Sequence, residues 1–201
     1  YATGDHARPD IHMDCIARRD GDEWVINGQK SAWVSNGTIA THACTFLSVD
    51  RAKGMAGGGV AIIPLNLPGV SRGKPLDKLG QRALNQGEIF FDNVRIPKHY
   101  MVVTPEGYPF IMDTVLAGAN AGMGAIFTGV ARAAFEEGLA YCRQRVQGGK
   151  PICEHQAVQL KLMDMFVKVE AARALSRAAM LYNATTSPPA TQYSIASKVF
   201  C

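Results

Sequence analysis

The sequence is short of charge and contains neither a metal-type cysteine spacing nor a basic stripe. Charged residues make up 19% of the 201 residues, and 21 Lys and Arg against 17 Asp and Glu give a net charge of +4. The positive charges are scattered and are not interleaved with aromatics, which disfavours nucleic acid as a partner. No uninterrupted apolar run of about 18 residues occurs, so we expect no membrane span.

The five cysteines are odd in number and lack C-x-x-C spacing. They are Cys15, Cys44, Cys142, Cys153 and Cys201. This pattern predicts reduced thiols in a cytosol-like compartment and no metal site. The sequence shows no signal peptide. It starts at Tyr1 and stops at Cys201 inside a helical pattern, which we interpret as a fragment cut at both ends.

The first hundred residues read as short strands separated by turns. With 47% hydrophobic residues the composition is globular. Asp20-Gly21, Asn27-Gly28 and Asn36-Gly37 are turn signals. Apolar, partly β-branched runs follow at 43–50, 57–65 and 87–97. We predict a small antiparallel β-barrel or sandwich domain over residues 1–104.

A helical pattern begins after residue 104. We predict helices over 112–147 and 154–185, with a third from about residue 191. The middle of the first helix is crowded with glycine, and each glycine lowers helix stability by about 1 kcal/mol relative to Ala. The usual compensation is the close approach of a neighbouring helix or a ligand. The prediction is an α+β chain, with residues 105–201 forming an incomplete up-down helical bundle.

Three separated stretches carry a resemblance to the acyl-CoA dehydrogenase family. "GDEWVINGQKSAWVSNG" (21–37) is similar to the family pattern "GDEyxINGxKxwITNG". "LGQRALNQGEIFFDNVRIPKHYMV" (79–102) is similar to "mGxRaSdtxxixFedVrVPxenvl". "GVARAAFEEGLAYCRQRVQGGKPICEHQAVQLKLMDM" (129–165) is similar to "GxaxxAlexaxxYaxxRxxFGkxixexQxvqxxLAdM". Order and spacing match as well, so the resemblance covers nearly the whole chain.

The resemblance implies a flavoenzyme. Family members hold FAD between the β domain and the helical bundle, and they are homodimers or homotetramers. They oxidise an acyl-CoA to the 2,3-enoyl-CoA by α-proton abstraction and β-hydride transfer to the flavin. Electron-transferring flavoprotein is the family's default acceptor. The expected location is the bacterial cytoplasm or the mitochondrial matrix.

Residues Trp33, Val34 and Ser35 match the family's Trp-x-Thr, which lies against the flavin. An indole suits a flat ring system, and a short hydroxyl can donate to flavin N5. The local pattern alone also fits a core tryptophan followed by a solvent-facing serine. Compared with the commonest family pattern, one extra residue separates Lys30 from Trp33, which predicts a β-bulge.

The stretch "TGDHARPD" (3–10) has the spacing of the family loop "TEPxaGSD". The resemblance gives Thr3 the role of contacting the flavin pyrimidine edge. Pro9 stands where the family has a serine that contacts the acyl-CoA, and it has neither a hydroxyl nor an N–H donor. A frayed terminus is the alternative interpretation.

Three residues near the junction of the predicted long helices match cofactor contacts. Arg145 matches an arginine that reaches the FAD pyrophosphate of the neighbouring subunit, for which a guanidinium fork is suited. His155 and Gln156 match a pair beside the cofactor, although a lone histidine here also fits a helix-start surface residue. Arg82 matches a family arginine, for which a structural salt bridge is the favoured role.

A general base is missing from the sequence. The family uses a glutamate, usually on a late loop or, in a minority, on the first bundle helix. The latter position corresponds to Ala119, and its neighbour, usually arginine on the substrate side, is Asn120. Glu136 and Glu137 fit a solvated helix face. The alternatives are therefore an acyl-CoA oxidase or flavin monooxygenase-like relative, or a non-catalytic binding or assembly module.

Overall fold

A computed structural model describes residues 13–201, which form two compact units that divide between Ile111 and Met112. The first unit contains a seven-stranded sheet. Its strands are β1 (Ile16–Asp20), β2 (Glu23–Ser35), β3 (His42–Ser48), β4 (Gly58–Pro64), β5 (Val70–Arg72), β6 (Gln86–Pro97) and β7 (Met101–Val103). The strand order is β5-β6-β2-β1-β3-β4-β7. Neighbouring strands are antiparallel except β1 and β3, which pair in parallel.

The β1–β2 hairpin confirms the first turn prediction. Asp20 pairs with Glu23, so the connection has two residues, Gly21 and Asp22. Gly21 has a φ of +60°, a conformation that glycine adopts without steric cost. The hairpin ends in a charged cluster, because Arg95 of β6 contacts Asp20 at 2.9 Å and Glu23 at 2.8 Å.

Asn27-Gly28 is not a turn, and that prediction was wrong. The pair lies inside β2, where Ile26 opposes Val94 and Gly28 opposes Phe91. The extra residue is on β6, where Asn93 has a φ of +50°. The backbone N–H of Asn93 donates to Asn27 Oδ1 at 2.8 Å, so the asparagine side chain supports a β-bulge.

A second irregularity in the β2–β6 ladder confirms the bulge predicted before Trp33. Lys30 pairs with Ile89, and the next pair is Val34 with Gly87. Three residues of β2, 31–33, therefore lie opposite one residue of β6, Glu88, and have no ladder partner on β6.

The core of the first unit consists of large apolar side chains from alternating strand positions. They include Ile26, Leu47, Ile63, Ile89, Val94 and Ile96, each with no exposed surface. The alternation follows from the pleat, which sends successive side chains to opposite faces. Trp24 packs in the same cluster.

The second unit is helical, which confirms the α+β prediction. Helix α1 (Tyr108–Gln144) begins in the first unit and supplies most of its length to the second. It is followed by a short hairpin of β8 (Val146–Gln147) and β9 (Lys150–Pro151), then α2 (Gln156–Thr185) and α3 (Thr191–Phe200). All three predicted helices exist. The first spans 108–144 where 112–147 was predicted, because the two-stranded hairpin takes its last residues.

The glycine-rich middle of α1 is explained at one position. A Cβ added at Gly124 would lie 2.4 Å from Ser197 Oγ, so this glycine permits close approach of α3. For Gly118, Gly122 and Gly129, an added Cβ would meet nothing within 4 Å in the described structure. The predicted close neighbour is therefore present for one glycine of the four.

Helix α1 is also long and apolar enough to cross a membrane, judged by length and composition alone. An 18-residue window within it has a mean hydropathy of 1.4. This finding differs from the prediction of no membrane span, which rests on the absence of an uninterrupted apolar run of that length in the sequence. A core helix of a globular protein meets the same criterion.

Candidate functional site

The end of β2 displays an aromatic ring and a hydroxyl on one side of the sheet. Trp33 is 68% exposed, and Ser35 is exposed as well. Val34, between them, is half-buried and packs against the core of the first unit. The pleat thus turns one residue inward and its two neighbours outward. A core position for Trp33 is excluded by its exposure.

The turn after Ser35 is fastened to the chain just before β6. Asn36 has a φ of +57°, and its backbone N–H donates to the Asn85 carbonyl at 2.6 Å. The Thr38 hydroxyl donates to Asn85 Oδ1 at 2.6 Å. A Cβ at Gly37 would lie 2.7 Å from the Gly87 carbonyl oxygen, so only glycine fits there. These contacts fix the conformation of the backbone that follows Ser35.

The carbonyl of Trp33 receives support from the first residue of β6. Gln86 Nε2 donates to the Trp33 carbonyl oxygen at 3.4 Å. Lys78 Nζ donates to Gln86 Oε1 at 3.0 Å and to the Leu84 carbonyl oxygen at 2.6 Å. The glutamine amide is therefore oriented by a lysine, and the bulge is supported from the β6 side.

Arg145 lies where α1 ends and the β8–β9 hairpin begins. Its backbone N–H donates to the Tyr141 carbonyl at 2.9 Å, and its carbonyl accepts from the Ile152 N–H at 2.8 Å. Its side chain is exposed and belongs to none of the ion pairs found within residues 13–201. The guanidinium is thus available for an anionic ligand.

His155 fastens the hairpin to the start of α2. Its Nε2 lies 2.9 Å from the Gln147 carbonyl oxygen, so this nitrogen carries the proton and donates. Its ring also lies near the tip of the hairpin, where a Cβ added at Gly148 would come within 3.3 Å of His155 Cε1. Gln156 follows as the first, exposed residue of α2. The fold therefore brings Arg145, His155 and Gln156 to one junction of the helical unit.

Asn120 is far from this junction along α1. About 25 residues separate it from Arg145, which corresponds to roughly 37 Å along a straight helix. Its Nδ2 donates to the Leu116 carbonyl at 2.8 Å, and Ala119 beside it is exposed. Glu136 pairs with Arg132 at 2.7 Å on an exposed face.

The remaining predicted residues fall elsewhere. Thr3 and Pro9 lie outside the described residues. Arg82 pairs with Asp77 at 2.5 Å in an exposed loop, the geometry of a surface ion pair. Between residues 13 and 201, no group of three or more His, Cys, Asp or Glu side chains is arranged to hold a metal ion.

Sequence reasoning missed the residues that support the candidate contacts. Gln86 and Lys78 carry no signal of their own, because the contact of Gln86 with Trp33 depends on a strand pairing across more than fifty residues, and Lys78 acts only through Gln86. The His155 contact with Gln147 was equally hidden, because it depends on a hairpin whose first strand, Val146–Gln147, falls within the helix predicted over 112–147.

Comparison with known proteins places both units in one family. Residues 7–94 match the acyl-CoA dehydrogenase middle domain, and residues 105–201 match the acyl-CoA dehydrogenase C-terminal domain. The mitochondrial short-chain specific acyl-CoA dehydrogenase of Bos taurus is 38% identical over 167 residues, which is 82% of this chain and 40% of that protein. The chain thus spans well under two thirds of this relative.

Solved structures agree with the sequence matches. Butyryl-CoA dehydrogenase from Megasphaera elsdenii superimposes with a TM-score of 0.83 at 32% identity, covering 92% of this chain and 48% of that one. Another similar chain comes from the structure described as the electron transferring flavoprotein of Acidaminococcus fermentans. It superimposes with a TM-score of 0.83 at 30% identity, and the match covers 96% of this chain and 50% of that one. The chain belongs to the acyl-CoA dehydrogenase family, whose middle and C-terminal domains it contains.

Proposed function

We propose that the full-length protein is an FAD-dependent acyl-CoA dehydrogenase that oxidises an acyl-CoA thioester to the 2,3-enoyl-CoA. The observation that carries the proposal is the supported bulge of β2, which displays the Trp33 ring and the Ser35 hydroxyl on one side. Family membership implies FAD, and the names of the relatives place them in acyl-CoA oxidation.

The residues present fit a flavin nucleotide in two places. The exposed indole of Trp33 offers a flat apolar surface for a ring system, with Val34 holding the strand to the core and the Ser35 hydroxyl beside it as a donor. The guanidinium of Arg145, which forms no ion pair within residues 13–201, suits a pyrophosphate, because two parallel N–H donors bind that group well. Gln156 adds an amide at the same junction. We assign Thr3 to the cofactor by family resemblance alone.

When bound, FAD supplies the acceptor for the substrate's β-hydride. The chain's residues would orient it: Trp33 would pack on the ring system and Ser35 would donate a hydrogen bond to it. Arg145 would neutralise phosphate charge on the cofactor of a neighbouring subunit. Removal of the α-proton needs a positioned carboxylate. Within residues 13–201 we assign that role to none, since Ala119 and Asn120 occupy the early family position. We place Asn120 and Pro9 on the substrate side.

We further propose a homodimer or homotetramer, in which Arg145 reaches the cofactor of a neighbouring subunit. Electron-transferring flavoprotein is the proposed electron acceptor, in line with the similarity to a chain of the Acidaminococcus fermentans structure. The proposed location is the mitochondrial matrix or the bacterial cytoplasm, since relatives of both origins match.

The proposal is tested with the full-length protein reconstituted with FAD. We expect an acyl-CoA, added without oxygen, to bleach the absorption band of the oxidised flavin. Arg145→Ala should weaken FAD binding at least tenfold, since hydrogen bonds to charged groups contribute about 1.5–3 kcal/mol. Trp33→Ala should weaken it about five- to tenfold through the lost aromatic contact.

Val102→Ala is the matched control, because Val102 is 56% exposed on β7 and has no proposed role. Failure of every acyl-CoA to bleach bound flavin would rule out the dehydrogenase. Bleaching followed by rapid reoxidation in air would instead indicate an oxidase. A protein that binds neither FAD nor acyl-CoA would be a binding or assembly module.

A further inference from the structure

Within residues 13–201, strand β1 begins at Ile16 and does not extend alongside Lys30 of β2. Strand β1 lies between β2 and β3, and its first residue, Ile16, pairs with Asn27 on one side and Ser48 on the other. Both flanking strands continue past that point, β2 towards Ser35 and β3 back towards His42. Beyond Ile16 the described ladder therefore has no strand between them.

The Lys30 side chain reaches from β2 to β3. Its Nζ donates to the Phe46 carbonyl oxygen on β3 at 3.3 Å. The same nitrogen lies 5.6 Å from the centroid of the Phe46 ring, within the range of a cation–π contact. One half-buried side chain thus joins two strands that are not neighbours in the sheet.

The surroundings of Lys30 make this arrangement costly for a charged group. Burial lowers the pKa of Lys30 below its usual value, and the nearby Cys15 and Cys44 thiols act in the opposite direction. These thiols come from the residue before β1 and from β3, and they are the titratable groups that act on Lys30 electrostatically. An ammonium retained here needs the compensation that the carbonyl and the ring of Phe46 provide.

The contact between Lys30 and Phe46 lies directly next to the bulge of β2. Lys30 is the last residue paired with β6 before the bulge, and pairing resumes at Val34. Gln86 supports the bulge from the β6 side through the Trp33 carbonyl. Lys30 supports it from the β3 side.

We propose that Lys30 is a positioning residue that fixes the bulge of β2, and with it Trp33 and Ser35, for a bound flavin. The flavin part of this inference rests on the proposed function. The part that concerns the bulge stands on the described contacts alone, so the two are tested by separate measurements.

The first measurement is amide hydrogen exchange of residues 31–35 in the full-length protein without FAD. Lys30→Met keeps the aliphatic stem and removes the ammonium. We expect exchange in this segment to rise about tenfold, as for the loss of a hydrogen bond to a charged group. Lys30→Arg should stay within about twofold of wild type, because a guanidinium also donates to a carbonyl and stacks on a ring.

The second measurement is FAD affinity together with the visible spectrum of the bound flavin. Lys30→Met should raise the Kd for FAD about fivefold and shift the spectrum, with rescue by Lys30→Arg. Lys98→Met is the control, since Lys98 pairs with Asp22 at 2.8 Å beyond the other end of β2. Should Lys30→Met fail to fold, Phe46→Leu removes the ring and keeps the carbonyl, and a smaller change in the same direction is expected.

Unchanged exchange in residues 31–35 in both Lys30→Met and Phe46→Leu would overturn the inference. Raised exchange with an unchanged Kd for FAD, while Arg145→Ala weakens binding, would restrict Lys30 to a structural role and also overturn it. If wild-type protein binds no FAD, the proposed function fails, and the exchange data still decide whether Lys30 fixes the bulge.

Discussion

The two units bury different kinds of side chain. In the β unit, large residues such as Ile26, Leu47 and Ile89 have no exposed surface. In the helical unit the buried positions of α2 and α3 are mostly small, and they include Val169, Ala172, Ser176, Ala179, Ser194 and Ser197. Its large apolar side chains are exposed instead, for example Leu160 and Leu181 at 66% each.

The difference shows where each unit obtains its stability. Burial of apolar area contributes about 25 cal/mol per Å², so the β unit is stabilised by its own core. The helices gain less from one another, because their contact surface is built from small residues that allow close approach. Exposed apolar faces of this extent are typical of interaction surfaces. The helical unit therefore depends more strongly on what covers those faces.

The largest expected effect is a cavity in the β core. Ile89→Ala should lower the free energy of unfolding by about 3 kcal/mol, through lost burial and an unfilled cavity. Leu181→Ala in α2 should change it by less than about 0.5 kcal/mol. Urea denaturation monitored by fluorescence and by circular dichroism measures both. Equal losses for the two variants would contradict the contrast between the units.

A pH-dependent effect should be specific to the β unit. Burial raises the pKa of Cys15 from 9.0 to about 11, with Lys30 opposing the rise. Between these two pH values the folded state keeps a proton that the unfolded state loses, so stability falls as pH rises. The loss should reach about 2–3 kcal/mol by pH 11. The lowered pKa of Lys30 acts oppositely, because the folded state then binds fewer protons than the unfolded state below pH 10.5.

Cys15→Ala should abolish the fall in stability between pH 9 and 11 that the Cys15 thiol causes. The opposite contribution of Lys30, which raises stability with pH, should remain. The free energy of unfolding of wild type minus that of the variant, measured by urea denaturation across this pH range, should decrease steadily. Cys142→Ala, a half-buried thiol on α1, is the control and should preserve the wild-type slope. A parallel pair of curves for wild type and Cys15→Ala would show that the buried thiol does not titrate in this way.

The smallest expected effect tests the close helix approach. Gly124→Ala should destabilise the protein by about 1–2 kcal/mol, because its Cβ would overlap the Ser197 hydroxyl. At Gly122, two residues earlier, an added Cβ meets no described atom within 4 Å. Gly122→Ala should therefore stabilise the protein by up to about 1 kcal/mol through helix propensity. Thermal unfolding compares them. Ser197→Ala should relieve part of the loss at Gly124, and stabilisation by Gly124→Ala would refute the close contact.

Local features of the fold were predictable from the sequence because neighbouring residues determine them. The Gly21 turn, the strand runs after it and the three helices follow from turn chemistry and apolar periodicity. The exposure of Trp33 was anticipated only through the family resemblance, since the same letters also fit a core tryptophan.

Features that depend on distant partners could not be predicted. The Asn27-Gly28 pair carries a turn signal, and it lies in a strand because Asn93, 66 residues away, supplies the extra residue and bonds to Asn27. The anchors of the candidate site, Lys30 to Phe46 and Gln86 to Trp33, likewise need the strand order. Asn120 and Arg145 share a helix in the prediction, whereas in the structure α1 ends at Gln144, one residue before Arg145. The length of α1 shows how far apart the two residues lie.

The strand order also constrains the time at which this fold can form during synthesis. Strand β2 occupies the sheet interior, yet its outer neighbour β6 ends at Pro97, which pairs with Glu23. At roughly 5–20 residues per second, the ribosome needs on the order of several seconds to make the intervening segment. Until then β2 has one open edge, and the bulge that displays Trp33 and Ser35 lacks its β6 side. The surface that displays Trp33 and Ser35, which we propose to face the flavin, is therefore among the last parts of the β unit to be completed on the ribosome.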